Sequence, residues 1–297
     1  MAQTLINKIA VFSAFLAVPG FSQAPVSIDV FKEIIRYTKF AAAAYVDYCA
    51  TPPYGSSVVQ YFNDEYTDTQ ATLFRDDLAK ELIIAFRGSS SPTDLDTDVD
   101  FNLVPVTAGG ISCADCLVHR GFQVAYESIS NDVASTIQST LSSTSGYSIT
   151  VTGHSLGAAL AAIAAPALIN KGIRVAKTFT FGEPRNGNAA WASYVSSVVP
   201  DSNYYRVTHA NDGVPHIPPD ILGFQHHGPE YWESKSDASN TATTVYYCGN
   251  NSTSCNAVQN YGDNPINRAH MTYSNGVIGA GLHSPDCGAP RVSPRDP

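Results

Sequence analysis

The chain is 297 residues long, 44% hydrophobic and 14% charged, enough for one large domain around a single core. Its formal net charge is −9 and no tract is rich in Lys and Arg, which argues against nucleic acid as a partner and against electrostatic docking on anionic membranes. Six cysteines suit an oxidising compartment and permit three disulfides, though their number leaves the pairing open.

Residues 1–24 read as a secretory signal. Lys8 supplies the positive start, Ile9 to Val18 the short apolar run, and small residues near Ser22 and Ala24 the cleavage region. That run is too short to cross a bilayer, and no later stretch qualifies, so the protein is expected to be secreted and extracellular. The mature domain is expected over residues 25–287. Ser27 is placed to cap a helix running to about Cys49, with Phe31, Ile34, Thr38, Ala41 and Tyr45 on its apolar face. Val58 to Phe62, Gln70 to Arg75 and Glu81 to Phe86 read as strands joined by polar turns. Asp94, Asp96, Asp98 and Asp100 then alternate with Leu95, Thr97, Val99 and Phe101, as in an exposed flap or edge strand. The central Gly and terminal Glu of a calcium loop are missing, so these carboxylates form a solvated face and no metal site is expected. Residues 104–118 read as an irregular loop. Its Cys113-Ala-Asp-Cys116 has neither a second pair at zinc spacing nor a thioredoxin-like context, and reads as a structural bridge. Gly121 to Leu141 is a helix with Phe122, Ala125, Ile129, Val133 and Ile137 in one stripe.

Tyr147 to Thr152 alternates and is β-branched, as a strand should be, while Ala158 to Leu168 has the Ala and Leu content of a buried helix. Between them lies Gly153-His-Ser-Leu-Gly157, a G-x-S-x-G element. In a nucleophile elbow the serine sits on a strained strand-to-helix turn, and the flanking glycines are needed because a Cβ would collide with a neighbouring element. Further on, Val175 to Phe181 is a strand, Ala189 to Val199 a helix, and Asn203 to Ala210 a strand ending at Asn211-Asp212-Gly213. Residues 213–240 look loop-rich, Thr243 to Cys248 a short strand, and Gly249 to Asn264 a polar excursion. That excursion holds overlapping N-glycosylation sequons at Asn250 and Asn251. A last apolar segment starts at Met271, and the Pro-rich tail 288–297 is expected to be disordered. The order of elements predicts an α/β fold: one domain, a mostly parallel central sheet flanked by helices, and the early antiparallel strands at one edge.

A serine hydroxyl is a poor nucleophile without a base in reach and an acid behind the base. Asp212 follows a strand end directly, where such an acid belongs; its plainer role would be a turn former before Gly213. Among downstream histidines, His226 and His227 come too soon and His283 nearly at the end. His270, just before the last apolar segment, is the candidate base. For the developing oxyanion the backbone N–H of Leu156 is one donor, and the Gly88-Ser89 loop offers the other through Ser89.

Phe86-Arg-Gly-Ser89, His119-Arg-Gly-Phe122, Val151-Thr-Gly-His-Ser-Leu-Gly157, Phe181-Gly-Glu-Pro-Arg-Asn-Gly-Asn188, Arg206-Val-Thr-His-Ala-Asn-Asp-Gly-Val-Pro215 and Ala269-His270 occur in this order. Together they resemble the filamentous-fungal class 3 lipase family, which includes the type A feruloyl esterases, over about residues 27–287. The resemblance implies an α/β-hydrolase fold with Ser155, Asp212 and His270 as triad, Ser89 and Leu156 as oxyanion hole, and no cofactor. The cysteine positions resemble the feruloyl-esterase branch, which implies Cys49–Cys287, Cys113–Cys116 and Cys248–Cys255. A lid is implied at about Pro92 to Asp100. With only Leu95 and Val99 among its aspartates, it resembles the polar flap of that branch. Phe101 and Phe122, however, stand where that branch has tyrosines, and phenylalanine gives a phenol no polar partner. Leu95, Val99, Phe101 and Phe122 are therefore expected to line or cover an acyl site. The expected activity is that of a secreted serine carboxylic-ester hydrolase working through an acyl-enzyme on acylglycerols or related lipid esters. The runner-up is release of ferulic acid from plant cell-wall polysaccharide; a catalytically silent binding protein on the same scaffold is the alternative from another class. The ester substrate and a transient lipid interface are the expected partners of a monomer.

Overall fold

Strands that are apolar on both faces need a layer of helices on each side, and the chain supplies both layers. A computed structural model describes residues 23–89, 101–237, 239–279 and 287. The expected signal segment up to residue 22, Leu95, Val99, His283 and the tail 288–297 lie outside the described residues. Within them, a nine-stranded sheet runs in the order β1-β11-β10-β9-β8-β7-β4-β3-β2. These are Ala24–Pro25 (β1), Ser57–Asp64 (β2), Thr69–Asp76 (β3), Glu81–Phe86 (β4), Ser148–His154 (β7), Val175–Phe181 (β8), Tyr204–His209 (β9), Glu230–Glu233 (β10) and Val245–Gly249 (β11). Leu103–Pro105 (β5) and Leu117–His119 (β6) form a separate antiparallel pair. The helices are Ile28–Ala43 (α1), Arg120–Ser143 (α2), Leu156–Asn170 (α3) and Ala189–Val198 (α4).

Strands β4, β7, β8, β9 and β10 pair in parallel. The early strands β2 and β3 add antiparallel to β4 at one edge. The other edge is antiparallel as well, where β11 returns beside β10 and β1 closes on β11. Period-2 alternation divides β4 between two cores. Leu82, Ile84 and Phe86 pack with Ile149 and Val151 under α2 and α3, whereas Ile83 and Ala85 join Phe74, Phe179 and Phe181 beneath α1. Helix α3 is buried around almost its whole circumference, and its alanines let it lie close to the sheet.

Ser27 caps α1, its side chain accepting from the Val30 N–H at 3.2 Å. The helix stops at Ala43, short of the expected Cys49, because the next residues are called elsewhere: Tyr45 to the elbow and Cys49 to Cys287. Two further expectations are corrected. Strand β10 lies inside the stretch read as loop; its four residues carry a Glu at each end, and pairing with β9 and β11 overrides that weak local signal. Strands β5 and β6 overlap the two ends of the expected irregular loop and are three residues each, too short for alternation to be read. The disulfides pair Cys49 with Cys287, Cys113 with Cys116 and Cys248 with Cys255. Among the described residues no helix is long and apolar enough to cross a membrane.

Candidate active site

The elbow follows from two glycines that have no room for a side chain. A Cβ on Gly153 would lie 2.1 Å from the Gly157 carbonyl oxygen, and one on Gly157 would lie 2.2 Å from that of Phe86. The chain therefore reverses tightly at Ser155, which takes φ 59° and ψ −127° between β7 and α3. Such a backbone costs on the order of 1–3 kcal/mol, offset here by the Ser155 N–H bond to the Phe181 carbonyl at 2.9 Å and by the buried helix behind.

This turn presents the Ser155 hydroxyl to His270, whose Nε2 is 2.8 Å from Oγ. On the other side of the ring, Nδ1 is 3.0 Å from each oxygen of Asp212. All three side chains are buried. Asp212 stands three residues past the end of β9 and accepts the Val214 N–H at 2.9 Å. The Tyr273 hydroxyl donates a short hydrogen bond to its other oxygen. Burial alone would raise this carboxyl; His270, Tyr273 and Val214 outweigh it and hold Asp212 below the ordinary carboxylate range. Gly182, at φ 58°, makes the space: a Cβ there would come within 2.8 Å of Asp212 Oδ2 and 3.0 Å of the His270 ring.

Beneath His270 lies a second imidazole, His154, which the sequence reading passed over. Its ring stacks on His270 with centroids 4.5 Å apart. His154 Nε2 is 2.8 Å from the His270 carbonyl, which only accepts, so Nε2 carries the proton. Nδ1 then accepts from the Tyr45 hydroxyl at 2.8 Å. Burial, and then the neighbouring His270, push His154 down to about 3. It is a neutral, fixed platform for the His270 ring. His226 and His227 point elsewhere, to the Pro215 carbonyl and the Tyr204 hydroxyl.

Ser89, half-buried just past β4, and Leu156, the first residue of α3, border one small cavity with Phe101 and Phe122. The first N–H groups of a helix have no carbonyl a turn back, which leaves the Leu156 N–H available to an oxyanion. His119, Pro184, Ile217 and Pro218 complete the lining and were not foreseen. His119 stacks on Phe122 at 3.9 Å, and Phe101 meets His119 and Phe224 edge-on, so the wall is aromatic and predominantly apolar. Gly88 can come close because it lacks a Cβ, which would lie 1.9 Å from the Tyr45 oxygen. Asn250 and Asn251 are both exposed beside the Cys248–Cys255 bridge.

Comparison with known proteins bears on this geometry. Residues 83–222 match the family model described as lipase (class 3). The chain is 32% identical over 254 residues to the secreted mono- and diacylglycerol lipase A of Penicillium cyclopium, covering 79% of this chain and 81% of that one. Lipase II from Rhizopus niveus superposes with a TM-score of 0.74 at 28% identity, covering 86% of this chain and 98% of that structure. A triacylglycerol lipase described as having a serine-protease triad at its catalytic centre superposes with a TM-score of 0.73 at 28% identity, over 85% and 97% of the two chains.

Proposed function

The chain belongs to the class 3 lipase family and is a carboxylic-ester hydrolase; on that premise we propose that it cleaves acylglycerols or related lipid esters through an acyl-enzyme on Ser155. The observation that carries this is the unbroken line from Ser155 Oγ through His270 to Asp212. Ser155 attacks the ester carbonyl as His270 Nε2 takes its proton, and the same nitrogen returns it to the departing alcohol. Asp212 fixes the Nδ1–H tautomer and stabilises the imidazolium. Ser89 and the Leu156 N–H meet the oxyanion; losing one such donor costs about 10²–10³ in turnover. Water then repeats the sequence on the acyl-enzyme, so no cofactor enters.

The acyl chain lies against Phe101 and Phe122. What supports a lipid ester is the aromatic wall without a tyrosine hydroxyl, together with the lipase names of the relatives. Ferulic acid release is not favoured by either. The secreted relative supports an extracellular protein, and on the same proposal it meets its substrate at a lipid surface as a monomer, glycosylated at Asn250 or Asn251. Hydrolysis of tributyrin should exceed that of methyl ferulate and vanish in Ser155→Ala. Full activity of that variant on short nitrophenyl esters would end the proposal.

A further inference from the structure

We propose that the cavity between the Asp212–Pro218 loop and the Cys248–Cys255 bridge binds a small free oxyanion of the phosphate or sulfate class, held by Arg206 and Arg185. Arg206, on β9, is 3% exposed, yet its Nε has no partner among the described residues. Glu183, which feels the charge of Arg206, accepts from the Tyr204 hydroxyl at 2.8 Å through one oxygen, while its other oxygen has no hydrogen-bond partner among the described residues and lies 3.3 Å from His227 Nε2. Burial moreover pushes Glu183 up to about 7, so near neutrality it does not fully balance a guanidinium. Arg185 spends one nitrogen on the carbonyls of His216 (2.5 Å) and Pro218 (2.9 Å) and borders the same cavity.

The two guanidinium groups sense each other. Burial lowers Arg185, Asp220 works against that and Arg206 adds to it, while His226, also on the cavity wall, is lowered by burial and then by both arginines. The facing carboxylate, Glu230, has Oε1 engaged by the Thr208 hydroxyl at 2.6 Å and the Asn256 N–H at 3.2 Å. A buried guanidinium with an unpartnered N–H is disfavoured, and its planar fork matches a tetrahedral oxyanion. The space is about 50 Å³, on the scale of one such ion. Ser252, whose hydroxyl is held by Ser254, also lines the cavity. The site also bears on the acyl cavity, because Arg185 grips the carbonyls on either side of Ile217, and Ile217 lines that cavity.

The test follows the melting temperature of the full protein in HEPES at fixed ionic strength as inorganic phosphate is raised. The site predicts a saturating rise, as for one-site linkage, with no rise for glycerol 3-phosphate at the same concentrations. Arg206→Gln should weaken the apparent affinity by about tenfold or more, the scale of a lost charged hydrogen bond. Should that variant not fold, Ser252→Asp provides an independent arm. Its tethered carboxylate should raise the melting temperature in phosphate-free buffer and abolish the phosphate response. A rise that does not saturate and is equal in wild type and Ser252→Asp, or an equal response to glycerol 3-phosphate, would overturn the assignment.

Discussion

Tyr273→Phe removes a single oxygen and leaves the ring that packs edge-on against Phe181, His154 and His209. What is lost is the hydroxyl's hydrogen bond to the buried Asp212 carboxylate. A hydrogen bond to a charged group contributes about 1.5–3 kcal/mol, and the Val214 N–H and His270 remain to hold the acid. If the lost stabilisation is felt fully when the imidazolium forms, kcat/KM falls roughly 10- to 100-fold. Asp212's folded value is depressed, so it adds stability above the unfolded range near ~4 and loses it as pH falls through the lower folded value. Without the hydroxyl the depression shrinks, and acid unfolding should begin at higher pH. The assay is kcat/KM on p-nitrophenyl butyrate across pH, alongside acid titration of the folded signal. Wild-type kinetics together with an unmoved acid transition would refute this account of Tyr273.

Two further outcomes follow from the same coordinates. Cys287→Ser opens a link spanning 238 residues, and chain entropy puts the loss at about 5 kcal/mol; urea unfolding should show it as a lower midpoint. Phe122→Tyr supplies the acyl cavity with a hydroxyl, and the ratio of methyl ferulate to tributyrin turnover should rise about tenfold, the scale of one hydrogen bond to a substrate phenol.

The elbow could be read locally because Gly153, Ser155 and Gly157 are fixed by contacts within a few residues and by the strand and helix around them. Asp212 and His270 followed from their stations along the chain, and the geometry brings them to Ser155. Tyr45, His154 and Tyr273 left no such trace. Tyr45 reaches His154 across 109 residues, His154 reaches His270 across 116, and Tyr273 reaches Asp212 across 61. Contacts of that span follow from sheet order, which no spacing reveals. The aromatic cavity wall was only half legible for a similar reason. Phe101 and Phe122 stand in motifs that resemble a known family, whereas Pro184, Ile217 and Pro218 meet them only through folding. Strand β10 escaped because its order comes from its two neighbours rather than from its own four residues.

The central claim is that Ser155 is made nucleophilic by His270. A fluorophosphonate allowed to react with the protein, followed by mass spectrometry of the peptide around the elbow, tests it most directly. The account predicts one adduct per chain on Ser155, none in Ser155→Ala, and labelling slowed at least about a hundredfold in His270→Gln. An unlabelled Ser155, or equal labelling rates with and without His270, would contradict it.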